Sequence, residues 1–310
     1  MNNIDKHPLV SVVSCVFNEG KYLKECIESV LSQSYRNIEY IIWDDGSTDN
    51  TKDIVMSFDD NRITYIYSEN RGIGHSTIMA CNKARGTYIA RIDGDDVWLP
   101  NKLEKQVEFL ENNQNISVVG TSEYFIDTDS NIIGVGFHYS DSKVVTSMLQ
   151  KGLIPILHSS SMYRTKDYIT SGGYVHIRKT LDKILWLRMR HIGEITNLPE
   201  HLTLYRLHSE SITMTRDRGP YNKILKALLH KIYHEEGYND KDIEIFNNLF
   251  LENKKLIIDN SNKMQFNMMS YKFYFPLVIF RFLVVIVGEY AAGKIIHKVK
   301  NIIGYIKYCL

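Results

Sequence analysis

Three carboxylates fall within four residues at Asp93-Gly94-Asp95-Asp96, directly after the apolar run TYIARI at 87–92. Acids packed that closely repel one another unless a cation or hydrogen-bond donors offset them. A divalent cation is the simplest remedy, because Mg2+ and Mn2+ take oxygen ligands and are commonly held by one or two carboxylates, with phosphate oxygens completing the shell. The plainer alternative is a solvated Asx turn. Against it, Gly94 gives the turn its freedom while a strand of buried character fixes its position. Two further polar pairs follow apolar runs in the same way, Asn18-Glu19 after 9–17 and Asp44-Asp45 after 38–43. One acid past a strand is usually a cap or turn former. Three such places in one sheet point to a ligand site, because open α/β sheets bind ligands beyond the carboxyl ends of their strands.

The elements that hold these residues show in the hydrophobic rhythm. LVSVVSCVF at 9–17 is β-branched and nearly continuous in apolar character, as in a central strand buried on both faces of a parallel sheet. Tyr22, Leu23, Cys26, Ile27, Val30 and Leu31 then repeat at helical spacing. A second strand is expected at 38–43 and a helix at 51–58, capped from within 47–50. Strands at 63–68 and 87–92 enclose a helix at 73–84, which makes a doubly wound, mostly parallel α/β sheet flanked by helices. Farther on, a helix is expected at 103–112, a strand from Val118, and another strand from Ser159 that precedes Gly172-Gly173. From Tyr221 onward Lys, Leu, Ile and Tyr recur at helical spacing. The chain therefore divides into an α/β domain at 1–215 and a helical C-terminal region at 216–310.

Lys and Arg number 37 against 36 Asp and Glu in 310 residues that are 44% hydrophobic. That balance excludes a polyanion-coating protein, so no nucleic-acid partner is expected. Cys15, Cys26, Cys81 and Cys309 fall at no metal-ligand spacing, which suits a reducing, cytoplasmic compartment. The polar stretch at 2–8 and the strand-like run after it lack a secretory cleavage pattern. FYFPLVIFRFLVVIVG at 273–288 is the most hydrophobic stretch, yet Pro276 and Arg281 interrupt it and it falls short of the ~20 apolar residues that bridge a bilayer. Lys294, His297, Lys298, Lys300 and Lys307 follow it. Two readings stay open: a basic amphipathic helix lying on the inner membrane face, or a helix packed on the first domain or on another copy of the chain.

With these residues in view, the chain resembles a family 2 glycosyltransferase of the GT-A fold over most of residues 8–213. The likeness is carried by VSVVSCVFNEGKYLKECIESVLSQSY, IEYIIWDDGSTDNT, NRGIG, ARGTYIARIDGDDVWLPNKLEKQ, GGY, LDKILWLRM and LPEHLTLYRLHSESIT, in that order. It implies an inverting, metal-dependent transfer from a UDP-sugar to a hydroxyl of a glycan or lipid-linked oligosaccharide, in surface polysaccharide or glycoconjugate synthesis. The donor would carry a hexose or N-acetylhexosamine, and the cofactor would be Mn2+ or Mg2+. By the same resemblance, Phe17, Asn18 and Glu19 would line the nucleotide pocket, and Asp44 or Asp45 would hydrogen-bond the base. Asn70 and Arg71 would lie beside base and ribose. Asp93, with Gly94, would face the ribose and the metal, Asp95 would be a direct metal ligand, and His208 would approach metal and diphosphate on a mobile loop. Asp182 would be the catalytic base, taking the acceptor's proton, while the cation, His208 and Arg206 would offset charge on the departing diphosphate.

Two departures from the family pattern stand out. Thr77 and Ile78 occupy places where relatives often carry Arg and Asn, so a cation near the diphosphate is missing and Arg71 or Arg85 would substitute. Leu181 replaces the acid that commonly precedes the base. Without the resemblance, Asp182 reads as a helix-start residue and His208 as a surface histidine. Rival functions fit less well. A sugar-nucleotide-forming nucleotidyltransferase would open with a Gly-rich basic loop where this chain has VFNEGKYL. A dinucleotide oxidoreductase is suggested only by Gly72-Ile73-Gly74, with Thr77 in the third glycine place. A catalytically inactive sugar-nucleotide-binding or scaffold module would tolerate loss of acids that are intact here.

Overall fold

The computed structural model describes residues 7–150, 153–177 and 181–208. The expected domain boundary at 215, the segment at 273–288 and Cys309 lie outside the described residues.

The chain opens with β1 (Val10–Val16), every residue of which is buried, then α1 (Leu23–Leu31), β2 (Ile38–Asp44), α2 (Thr51–Met56), β3 (Ile63–Tyr67), α3 (Ile73–Cys81) and β4 (Tyr88–Arg91). A two-residue strand β5 (Val97–Trp98) follows the acidic run and leads into α4 (Lys102–Asn112). Then come the long β6 (Ile116–Ile126), β7 (Ile132–Gly136), α5 (Ser142–Gln150), β8 (Met162–Arg164), α6 (Thr165–Thr170), α7 (Leu181–Met189) and β9 (Glu194–Arg206).

These strands form one sheet in the order β3-β2-β1-β4-β8-β6-β9-β5, with β7 paired to β6. β1 runs parallel to β2 and β4, β2 to β3, and β6 to β9, whereas β8 is antiparallel to both β4 and β6. The carboxyl ends of β1, β2, β3, β4, β6 and β9 therefore share one edge. Helices cover both faces, so alternate residues of a strand enter different cores: Val13 and Cys15 pack with α3, α5 and α7, while Val10, Val12 and Val16 pack with α1, α2 and α4. This double coverage is why the first strands are nearly continuous apolar runs.

The early elements fall where expected; the later ones differ instructively. The stretch from Ser159 begins as a 3-10 turn, His158–Ser160, and only Met162–Arg164 is strand. The serines capture nearby carbonyls, with Ser160 Oγ donating to Leu157 O (3.0 Å) and Ser161 Oγ to His158 O (2.7 Å), bonds that compete with a ladder. The helix expected at 73–84 ends at Cys81. β9 was not apparent as a strand because Pro199 lies inside it. The β6 register steps from Thr121 opposite Leu198 to Ser122 opposite His201, so the proline, which cannot donate to a ladder, sits in a bulge. Among the described residues no helix is long and apolar enough to cross a membrane. Cys15, Cys26 and Cys81 are free thiols, all buried.

Fully buried Trp186 of α7 packs edge-on to His158 and Tyr163, at centroid distances of 6.5 and 5.9 Å. Truncation there leaves a cavity under the helix that carries Asp182. Trp186→Ala should cost about 3–5 kcal/mol, measurable by urea unfolding; a loss under about 1 kcal/mol would contradict this packing.

Candidate active site

The loops after β1, β2 and β3 interlock at the carboxyl edge of the sheet. Asn18 adopts φ 55°, uncommon outside glycine but most accessible to Asn and Asp. Its N–H donates to Ser47 Oγ (2.9 Å) and its Oδ1 accepts from the N–H of Thr48 (2.8 Å). The Glu19 N–H donates to Thr51 Oγ1 (3.1 Å). Asp44 accepts from the Ser47 N–H (2.7 Å) and the Tyr65 hydroxyl (2.6 Å). Asp45 takes the N–H groups of Arg71 and Gly72, both at 2.8 Å. Gly46 has φ 83°, and a Cβ there would lie 2.8 Å from the backbone nitrogen of Asn70. Phe17, Asn18, Glu19, Asp44, Asp45, Asn70 and Arg71 thus border one cradle, with Phe17 47% exposed. Both aspartates are buried and bonded at both oxygens, so they shape the cradle; each oxygen still has capacity for a further donor.

The acidic run lies beside this cradle. Asp93 hangs from the end of β4, its N–H bound to Ser159 Oγ (3.0 Å) and its Oδ1 paired with Arg91 Nη2 (3.0 Å). The 3-10 turn that displaced an expected strand therefore anchors the acid loop. Arg91 is fully buried and also donates to Val13 O (2.6 Å). Burial and the Arg91 charge hold the neighbouring His158 well below its usual pKa, so that imidazole is neutral. Burial pushes the Asp93 carboxyl up to about 6; Arg91 opposes this, and the charges of Asp95 and Asp182 add to it. Thirty-six per cent of the Asp93 side chain still reaches solvent. Gly94 lies against Val16 and Glu19, where a Cβ would come within 2.9 Å of Val16 Cγ1.

Asp95 Oδ2 and His208 Nε2 are 2.8 Å apart, the histidine arriving from the end of β9. Asp96 is fully buried and accepts the Arg206 N–H on Oδ1 (2.8 Å). Burial, then the charges of Asp95 and Asp93, hold its carboxyl well above the usual range. Asp95 and His208 are brought together, while Asp93 is turned to Arg91. No cluster of three or more His, Cys, Asp or Glu side chains able to hold a metal occurs among the described residues. A carboxylate and an imidazole side by side fit an incomplete shell for a hard divalent ion, in which phosphate oxygens supply the remainder.

Asp182 stands in the first turn of α7. Burial raises its carboxyl above the usual Asp value, opposed by the N–H groups of Lys183 and Asp182 and by the Lys183 charge. The start of α3 packs close by on the chain before α7: a Cβ on Gly74 would sit 2.4 Å from the Ile177 carbonyl oxygen.

Two suggested cations are placed elsewhere. Arg85 pairs with Glu39 at 2.7 Å, and Glu39 bonds Ser11 near the start of β1, at the opposite edge of the sheet. Arg85 therefore cannot replace the missing arginine. Arg206 is enclosed and paired with Glu25 at 2.6 Å, so its guanidinium is committed inward and not to a diphosphate. Arg71 stays on the cradle with its side chain exposed. Sequence reasoning missed Asp96 as a buried acid, Ser159 as an anchor and Glu25 as a partner of Arg206. Only the acid run gave a signal, since the other links join residues far apart in the chain.

A mostly parallel sheet with helices on both faces, carrying an interlocked cradle and an acidic run at one edge, is the GT-A architecture, and solved structures share it. S. aureus TarS 1–349 in complex with UDP-GlcNAc superposes with a TM-score of 0.58 at 18% identity, covering 73% of this chain and 70% of that one. The mannosyltransferase PcManGT from Pyrobaculum calidifontis, in complex with GDP-Man and Mn2+, gives 0.52 at 16% identity, covering 78% and 68%. At such identities the likeness speaks for the fold alone. In sequence, EpsE of Bacillus subtilis (strain 168) is 36% identical over 227 residues, 69% of this chain and 78% of that protein. The glycosyl transferase family 2 model matches residues 11–171, and the chain belongs to that family of inverting glycosyltransferases.

Proposed function

We propose that the chain transfers a hexose or N-acetylhexosamine from a UDP-sugar, with inversion, to a hydroxyl of a glycan or lipid-linked acceptor in surface polysaccharide or glycoconjugate synthesis. The observation that carries this reading is the Asp95–His208 pair, 2.8 Å apart, on the acidic loop beside the interlocked cradle at the carboxyl edge of the sheet. TarS binds UDP-GlcNAc and PcManGT binds GDP-Man on this fold, and the uridine donor proposed here follows the family resemblance of the sequence motifs. In this reading Phe17 and Asn70 flank the base, Asp44 and Asp45 hold the cradle that receives it, and Asp93 meets the ribose.

The acceptor oxygen attacks the anomeric carbon from the face opposite the diphosphate and passes its proton to Asp182. The carbon–oxygen bond to the diphosphate breaks, and UDP leaves with that bond's electrons. Asp95 and His208 would hold a divalent cation, Mn2+ or Mg2+, which would supply charge neutralisation for the departing diphosphate. The peripheral or subunit-packing role of residues 216–310, and an inner-membrane-face location, belong to the same proposal.

The direct test is nucleoside diphosphate release from a panel of sugar nucleotides, with glycan and lipid-linked acceptors. UDP release from one UDP-sugar is expected, and a folded protein that releases nothing from any donor would be the inactive module instead. The pH profile gives a second test. Asp182 acts as a base only when deprotonated, and its carboxyl lies above the ordinary 3.8. The ratio kcat/KM should therefore fall as pH drops through a value above 3.8. An acid limb at or below that value would count against the assignment.

A further inference from the structure

Arg206, which cannot serve the diphosphate directly, is built into the acid loop from behind. Its side chain has no accessible surface, whereas its partner Glu25 is 42% exposed. Nη2 donates to Glu25 Oε2 (2.6 Å), and Nη1 donates to Asp127 O (2.9 Å) and Ser130 Oγ (3.0 Å). Ser130 Oγ in turn donates to the same Glu25 oxygen (2.9 Å), closing a triangle among three segments of the fold. Nε donates to the carbonyl of Asp95 (2.8 Å), while the Arg206 N–H binds the carboxylate of Asp96 (2.8 Å). The guanidinium lies 4.6 Å from the centroid of the Tyr22 ring, and that ring is 5.2 Å from the ring of His208. One side chain thus fixes the peptide of Asp95, and through Tyr22 it borders the imidazole two residues farther along its own chain.

We propose that Arg206 is a positioning residue that presets the Asp95–His208 pair for its cation, with Glu25 and Ser130 as the lock that holds it. This rests on the reading of that pair as the cation-holding one. The rigid guanidinium fork supplies several donors in fixed directions, which a lysine ammonium cannot reproduce. Glu25 matters because a buried guanidinium without its carboxylate is an uncompensated charge, which moves toward water or draws water in. Either response releases the Asp95 carbonyl.

The experiment measures UDP binding by calorimetry across an Mn2+ titration and in chelator, for the full chain and for Arg206→Lys, Glu25→Ala and the double variant, with thermal melting to confirm folding. Outer-shell partners of a metal typically govern affinity by about 10–100-fold. Each single variant should raise the half-saturating Mn2+ concentration at least about tenfold and leave binding in chelator unchanged. The double variant should do no more than Arg206→Lys alone, because both act through one contact. Folded single variants with wild-type Mn2+ half-saturation, even with lowered melting temperatures, would reduce Arg206 to a structural staple and overturn the proposal. A wild-type protein that binds UDP equally with and without Mn2+ would instead overturn the underlying reading, and the preset pair with it.

Discussion

Asp182→Asn should fold, bind a UDP-sugar as the parent does, and lose transfer by about 10²–10⁴-fold, the range a positioned general base contributes. The substitution is nearly isosteric and removes the charge that burial disfavours at Asp182, so no stability loss is expected. Asparagine cannot accept the acceptor's proton, so the loss should fall on kcat with donor KM little changed. Leu181 and Lys183 flank Asp182, so neither neighbour in the chain offers a second carboxylate to take over. Single-turnover transfer with a bound donor would show the effect cleanly. Activity within about tenfold of the parent would remove Asp182 from the mechanism.

The second large effect is expected at Asp95. Asp95→Ala removes one of the two side chains assigned to the cation and leaves His208 without its 2.8 Å partner. Even residues behind a metal's ligands are worth about 10–100-fold in affinity, so loss of a ligand should weaken Mn2+-supported UDP binding by at least about 100-fold. Binding in chelator, which reports the cradle around the base, should be untouched. Calorimetry of UDP with and without Mn2+ separates the two, and equal cation-supported affinity in parent and variant would refute the assignment.

Much of this was legible in the sequence for one physical reason. Strands covered on both faces are predominantly apolar, so β1, β2 and β4 stand out despite Glu39 and Arg91 within them, and the polar residues that follow them mark the sheet's carboxyl edge. Asn18, Asp44, Asp45 and Asp93 all emerged that way, and the structure sets them at that edge. The rest depended on tertiary pairing. β9 is disguised by Pro199 in its bulge, and the turn at His158–Ser160 looks like strand until its serine hydroxyls are seen holding carbonyls and the Asp93 N–H. Arg206 and Glu25 lie 181 residues apart, and no local spacing links them. The family resemblance offers Arg85 as a substitute for the arginine missing at Thr77, but its place before β4 puts it at the far edge of the sheet with Glu39. Position along a strand, and not proximity in sequence, decided which charged residues reach the site.

The most direct measurement is a thermal-shift series over UDP-, GDP- and other nucleotide sugars, each with Mn2+ and with chelator. One UDP-sugar should raise the melting temperature, with most of the rise lost in chelator and in Asp95→Ala. A stabilisation that ignores the cation, or that appears only with guanosine donors, would contradict a uridine sugar gripped through its phosphates at the Asp95–His208 pair.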